Sequence, residues 1–451
     1  MRPKLKKAAL AAAVLVGAAL LIVGALVFWV ATGRGGPEAG PVTAGMGPNP
    51  ALPAPADGLP TINIAPASSW PEGRTPTAAA GLSVNAFAGG LDHPRWLLAL
   101  PNGDVLVAES NKPKPPEGTE RGGVKGWVER RVMSAAGAGV PSANRISLLR
   151  DANGDGVAEL RTPFLTGLHS PFGMALVGDT LFVANADAVV AFPYRAGDTR
   201  ISAPPRLVAR LPGGRNHHWT KSLVASADGR RLYVGVGSNS NIAERGMAEE
   251  QNRAAILEID AATGATRVYA SGLRNPVGMD WNPETGALWA AVNERDGLGG
   301  DVPPDYMTSV RPGGFYGWPW SYWGGNVDTR VKPQRPDMAA RAIRPDYALG
   351  AHTASLGLTF AAGAQLGPAF ASGAFIGQHG SWNRRPHSGY KVVFVPFRGG
   401  RPAGAPVDVL TGFLSEDGDA MGRPVGVEVA RDGALLVADD VGNVIWRVAR
   451  R

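Results

Sequence analysis

The stretch GGRNHHWTKSL, Gly213 to Leu223, places two histidines side by side in a chain that has only seven. A neutral imidazole accepts a proton near neutral pH, so a histidine pair ahead of an apolar strand is a candidate general base. Adjacent residues on an extended chain point to opposite faces, so one of His217 and His218 is expected to meet a ligand while the other turns away. Four more histidines, His93, His169, His352 and His379, stand in similar polar segments, close to Arg95, Arg274, Arg423 and several asparagines. Any one of them serves equally well as a hydrogen-bonded strand end. Collected at one place, they suit a polar, anionic ligand.

What would collect them is a repeat. The units are LDHPRWLLALPNGDVLVAES, LHSPFGMALVGDTLFVANAD, HHWTKSLVASADGRRLYVGVGSN, LRNPVGMDWNPETGALWAAVNERD, HTASLGLTFAAGAQLGPAFASGAFIGQHGSWN and GRPVGVEVARDGALLVADD. Each has a polar lead-in, an apolar strand, a turn such as PNGD, ADGR, PETG or RDG, and a second strand ending in polar residues. Six such units, with lead-in and turn regularly placed, predict an all-β fold, a six-bladed β-propeller, over a β-sandwich with accidental similarity. The innermost strands of a propeller all start at one face and the second strands return to it. The lead-ins and the second-strand ends therefore form one mouth, which holds every histidine except His387.

Composition agrees with short strands and turns: of 451 residues, 61 are Gly and 38 Pro. With no cysteine, thiolate catalysis, disulfides and Cys-based metal sites are excluded. The net charge of +7 includes Arg2, Lys4, Lys6 and Lys7 and comes with no basic run elsewhere, so nucleic acid is not expected as a partner. Residues 1–34 read as a basic flank and an N-terminal transmembrane helix, because Ala8 to Gly33 is uncharged and about 20 apolar residues span a bilayer. A cleavable signal sequence is the competing reading. The basic flank places the N-terminus in the cytoplasm, making a single-pass cell-membrane protein with its body on the periplasmic or extracytoplasmic side. Residues 35–75 are rich in Pro, Gly and Ala and read as a flexible linker, leaving 76–451 for the propeller.

The succession HHWTKSL, SGLRNPVGMDWNPETGALWAAVNERD, RPGGFYGWPWSYWGG, GQHGSWNRRPHSGYKVVFVPF and GRPVGVEVARDG resembles the soluble quinoprotein glucose/sorbosone dehydrogenases, six-bladed propellers using pyrroloquinoline quinone (PQQ) and calcium. The similarity runs from about residue 85 to the C-terminus, and HGSWNR and the NERD loop look closest to the L-sorbosone dehydrogenase branch. The resemblance implies that His218 is the catalytic base, with His217 preceding it as a cofactor contact. It implies that Arg274 contacts the quinone oxygens, that Asn275 holds the cofactor, and that main-chain carbonyls at Asp296 and Gly297 bind calcium. Arg423, Arg384 and Arg385 would serve the cofactor's carboxylates. His379, Trp382 and Arg384 occupy the place where some members carry a lysine, and Val425 stands where glucose enzymes carry a second arginine. The implied reaction is oxidation of an aldose or sugar aldehyde by base-assisted hydride transfer, with a respiratory quinone or cytochrome as acceptor.

Two further segments stand apart. DANGDGVAE, Asp151 to Glu159, alternates oxygen ligands like a calcium loop, yet Thr162 stands where an EF-hand has its bidentate Glu, so a hairpin turn is the better reading. FYGWPWSYWGG reads as packing, with one ring free to serve as a sugar platform. Competing functions are a lactonase-type metal hydrolase, which needs acidic lead-ins, and a non-catalytic propeller that binds glycan or protein.

Overall fold

The computed structural model describes residues 34–56, 61–114, 116–117 and 133–451. The expected transmembrane helix falls almost wholly outside these residues, and among the described residues no helix is long and apolar enough to cross a membrane.

The six expected units each become the inner pair of an antiparallel blade; four of the blades have four strands and the other two have five and six. The inner strands are Pro94–Ala99, Met174–Val177, Leu223–Ala225, Pro276–Trp281, Ser355–Phe360 and Pro424–Val429, which define blades 1 to 6 in that order. Turns with glycine at positive φ, such as Gly229 at 69° and Gly433 at 81°, reverse the chain between first and second strands. The ring closes by joining its ends: Leu82–Ala88 pairs antiparallel with the last strand, Val444–Arg450, and becomes the outer strand of blade 6.

Apolar residues alternate onto both faces of every blade, so the core is divided into six clusters, one between each pair of neighbouring blades. Around the axis the inner strands touch backbone to backbone. A Cβ on Gly278 would meet Leu358 N at 2.4 Å, and one on Gly357 would meet Val425 O at 2.2 Å. The barrel centre is therefore filled, and ligand chemistry is confined to a mouth. In blades 1, 4, 5 and 6 the register slips at the mouth end of the inner strand, between Pro94/Trp96, Pro276/Met279, Ser355/Gly357 and Pro424/Val427. Such irregularities release the lead-in residues from the ladder and re-aim their side chains.

The described residues of 35–75, expected to be a flexible linker, instead lie along blades 4 to 6. Met46–Gly47 adds a fifth strand to blade 4 through Leu349 and Ala348. Trp70 packs edge-on against Phe413 and Trp446 and donates to Asp439 Oδ2 at 2.8 Å. The reason is in the backbone: a stretch without apolar periodicity still carries carbonyls and amides, and those are what its partners use.

Candidate active site

The lead-in of blade 3 is a bend rather than a strand, which begins only at Leu223. His217 and His218 consequently do not point apart; their rings meet edge to face with centroids 4.7 Å apart. His218 is half-buried, while His217 is exposed and is tied by its N–H to Asn239 Oδ1 at 3.1 Å.

His218 Nδ1 lies 2.8 Å from Ser238 O and 3.0 Å from Ser238 Oγ. A carbonyl only accepts, and the serine hydroxyl donates its own proton to Ser240 O at 2.6 Å, so Nδ1 carries the hydrogen. The lone pair is therefore on Nε2, which has no hydrogen-bond partner among the described residues. Burial, then the Arg274 guanidinium and the neighbouring His217, hold the imidazole well below its ordinary pKa and keep it neutral.

The loop that supplies Ser238 is clamped from behind by Glu250, which accepts from Ser240 Oγ and from Asn239 N–H. Asn216, at φ 48°, is the pivot of the histidine bend. Its Oδ1 accepts from buried Lys221 at 3.1 Å and from Arg253 at 3.0 Å, and its amide donates to Ala186 O. None of Asn216, Lys221, Glu250 or Arg253 was expected. All four lie outside the strands, in loops and a short 3-10 turn where polar residues are ordinary, so no sequence pattern marks them.

Arg274 projects from the lead-in of blade 4 and is only 4 % exposed. It donates to Glu294 O at 2.7 Å, Asn241 Oδ1 at 2.9 Å and Asn241 O at 3.2 Å. Asn241 was also missed, although Trp318 of the aromatic segment donates to its carbonyl at 2.9 Å. Asn275 donates to Asn293 Oδ1 at 3.3 Å and leaves its own buried Oδ1 unpartnered. A Cβ on Gly237 would strike that Oδ1 at 2.2 Å and His218 Cβ at 2.5 Å, so glycine is what lets His218 and Asn275 share one recess.

Asp296 links this arc to blade 5. Its carboxylate is 3.6 Å from Arg274 Nη2 and 3.6 Å from His352 Nδ1, and it accepts from Asn383 at 2.8 Å. Burial alone would raise its pKa; His352 and Arg274 outweigh that and bring it to about 2. Glu294 beside it is pushed up to about 7 by burial, against the pull of Arg274. The main-chain oxygens expected to bind calcium are both occupied. Asp296 O accepts from Asn241 Nδ2 and twice from the Arg295 guanidinium, and Gly297 O accepts from Arg330 at 2.6 Å.

The arc formed by blades 5, 6 and 1 differs from expectation. Arg384, read as a cofactor contact, is 1 % exposed and donates to Gly300 O, Pro386 O, Gly40 O and Asp301. It anchors the N-terminal segment. Arg385 is exposed and pairs with Glu38 at 3.7 Å. Trp382 is 40 % exposed and contributes its carbonyl to Asn63 N–H. His379 Nε2 lies 2.9 Å from Asp440, the buried carboxylate that also pairs with Arg95 and stands 3.5 Å from His93. Arg423 stacks over Tyr390 with its Cζ 4.9 Å from the ring centre and donates to Ala65 O at 3.1 Å, while its Nε is unpartnered.

The acidic turn of blade 1 is a hairpin on the opposite face of the ring. Asp151, Asp155 and Glu159 bring their carboxylates within 4.8 Å there, and backbone amides of the same turn occupy them.

A neutral histidine with a free lone pair, set beside an arginine and an unpaired amide at a propeller mouth, decides where relatives should match. A family model described as TrAA12-like matches residues 144–308 and 329–451, taking in every one of these groups on blades 3 and 4. The chain belongs to the TrAA12-like family. Among curated proteins it is 31 % identical over 292 residues to an uncharacterized protein of Borreliella burgdorferi, covering 62 % of this chain and 76 % of that one. It is 24 % identical over 293 residues to an aldose sugar dehydrogenase of Escherichia coli (strain K12), covering 60 % and 71 % of the two chains. Its fold is shared with the holo PQQ domain of pyranose dehydrogenase from Coprinopsis cinerea, at TM-score 0.66 and 22 % identity over 86 % of this chain and 100 % of that one.

A TrAA12-like site of this composition suits the quinone. Arginine has five N–H groups, and the four hydrogen bonds of Arg274 to Asn241, Asn293 and Glu294 leave one of them, on Nη2 beside Asp296. With the unpartnered Asn275 Oδ1 and Arg423 Nε, the Arg274 guanidinium offers fixed positive charge, donors and an acceptor to a planar polyanion. The carbonyl set at Asp296 and Gly297 does not suit a calcium ion, because its oxygens already face guanidinium groups.

Proposed function

We propose that this chain is a quinoprotein oxidoreductase that oxidises an aldose or a sorbosone-like sugar aldehyde, using PQQ held by Arg274 and Asn275. One observation carries the proposal: His218 presents an unprotonated Nε2 from a ring whose other nitrogen is locked on Ser238. The names borne by the relatives agree with sugar oxidation.

His218 Nε2 takes the hydroxyl proton of the sugar, or of the hydrated aldehyde, as the adjacent C–H bond releases its electron pair. Bound PQQ would supply the two-electron acceptor for that hydride. Ser238 keeps the ring oriented through the transfer, and its carbonyl stabilises the imidazolium formed. Arg274, rigid on Asn241 and Glu294, holds positive charge where negative charge develops and needs no rearrangement to do so. His217 stands at the entrance and contacts the base by its ring. A membrane tether would set the body outside the cytoplasm, within reach of a respiratory quinone or cytochrome. The hydrolase reading needs carboxylates converging on the mouth. Among the described residues the one group of at least three His, Asp or Glu able to share an ion is the outer turn at Asp151, Asp155 and Glu159.

The test is to add PQQ to the purified chain and follow quinone absorption, then dye reduction with aldoses and sorbosone. Uptake with sugar-dependent reduction is expected; no uptake at micromolar PQQ rejects the proposal.

A further inference from the structure

The family resemblance brings calcium with it, held by main-chain oxygens of the loop after the second strand of blade 4. In this chain those oxygens have other partners. Asp296 O receives three N–H groups, from Asn241 Nδ2 at 3.0 Å, Arg295 Nε at 3.0 Å and Arg295 Nη2 at 2.8 Å. A carbonyl oxygen has two lone pairs, so nothing remains for a metal. Gly297 O receives Arg330 Nη1 at 2.6 Å.

Neither guanidinium is free to swing aside. Arg295 Nη1 pairs with Asp328, and the two residues are 4 % and 2 % exposed. Arg330 takes its own N–H to Asp328 Oδ1 at 3.1 Å and extends its second terminal nitrogen to Ala56 O at 2.9 Å, in the N-terminal segment. Gly297 has φ 89°, and a Cβ there would lie 3.5 Å from Arg295 Nη2, so the loop is laid directly over the guanidinium. A calcium ion binds oxygen ligands at about 2.4 Å and takes about six to eight of them, from carbonyls, carboxylates and water. Placed on Asp296 O it would crowd a fixed cation that shares the same oxygen.

We infer that Arg295 and Arg330 fill the calcium position in this chain, so that the anionic quinone is taken up without a divalent cation. The inference rests on the quinoprotein reading above. The positive charge that calcium supplies elsewhere then comes from Arg274, the residue next to Asn275 and the leading charge acting on His218.

The experiment uses the full chain, stripped with EGTA, and follows PQQ binding by quenching of tryptophan fluorescence, with excess EGTA or with calcium. Equal binding in both is expected, within about threefold; tightening by about tenfold or more with calcium overturns the inference. Absence of binding in both conditions rejects the quinoprotein reading instead, and a second measurement then decides this one. Calorimetric titration of calcium into the Asp155→Asn variant, which disables the acidic turn of blade 1, is expected to show no saturable site; a sub-millimolar site overturns the inference. A paired variant, Arg295→Gln with Asp328→Asn, removes the buried charges together and releases Asp296 O. It is expected to gain a calcium response of about fivefold or more in PQQ affinity, and no gain in a folded variant also overturns the inference.

Discussion

The two arcs of the mouth use similar residues differently. On blades 3 and 4, His218, Arg274 and Asn275 are each held from behind by the protein and keep one polar atom or edge unused. On blades 5, 6 and 1, His379, Arg95 and His93 spend themselves on Asp440, and Arg384 on four oxygens. Similar residue types thus keep unpartnered atoms on one side and form a structural clamp on the other. What separates them is a carboxylate. Asp440 is held far below its usual pKa by His379, His93 and Arg95 against the cost of burial, so that arc is close to electrically self-contained.

This contrast can be broken at its strongest point first. His218→Ala is expected to lower kcat by about a thousandfold, the scale of a lost general base, while PQQ binding measured by fluorescence changes little. An equal loss in His217→Ala would place the base on the wrong histidine. Arg274→Ala is expected to lower kcat/KM by about a hundredfold, because it removes a charge-stabilising donor and frees Asn241 and Asp296 together. Arg423→Ala, which removes a buried Nε without a partner, is expected to weaken PQQ by about tenfold in the same titration. Arg384→Ala sharpens the comparison from the other side: it should cost about 3 kcal/mol in denaturant unfolding, since it strands Asp301 and the N-terminal carbonyls, yet change PQQ affinity by less than about twofold.

The smallest expected effect is in pH. His218 has its pKa lowered by burial and Arg274, so it remains a competent base as the solution is acidified through 6.5. The acid limb of kcat/KM should lie well below that value, and a limb at the ordinary histidine pKa would contradict the buried geometry. The same shift has a stability sign. Below pH 6.5 the unfolded chain binds a proton at this histidine that the folded chain does not, so this group makes folding less favourable as pH falls.

The propeller was legible because strand, turn and strand repeat with a polar lead-in, and six such pairs can bury their faces only against one another. His218, Arg274 and Asn275 were legible because lead-ins on adjacent blades must meet at the same end. The tether was misread for a related reason. Composition reports whether a segment has apolar faces to bury, and the described residues of 35–75 are held mostly by backbone groups that every sequence carries.

By itself, then, the sequence determined the periodicity, the number of blades, the end of the ring where polar groups gather and the residue types available there. Only the tertiary structure decided which of those groups are spent. Hydrogen bonds saturate: once Asp440 has taken His379 and Arg95, or the Asp296 carbonyl has taken Arg295, the same residues cannot also grip a cofactor or a metal. His218 escapes that fate because its partner is a carbonyl reached by Nδ1, which leaves Nε2 to do chemistry.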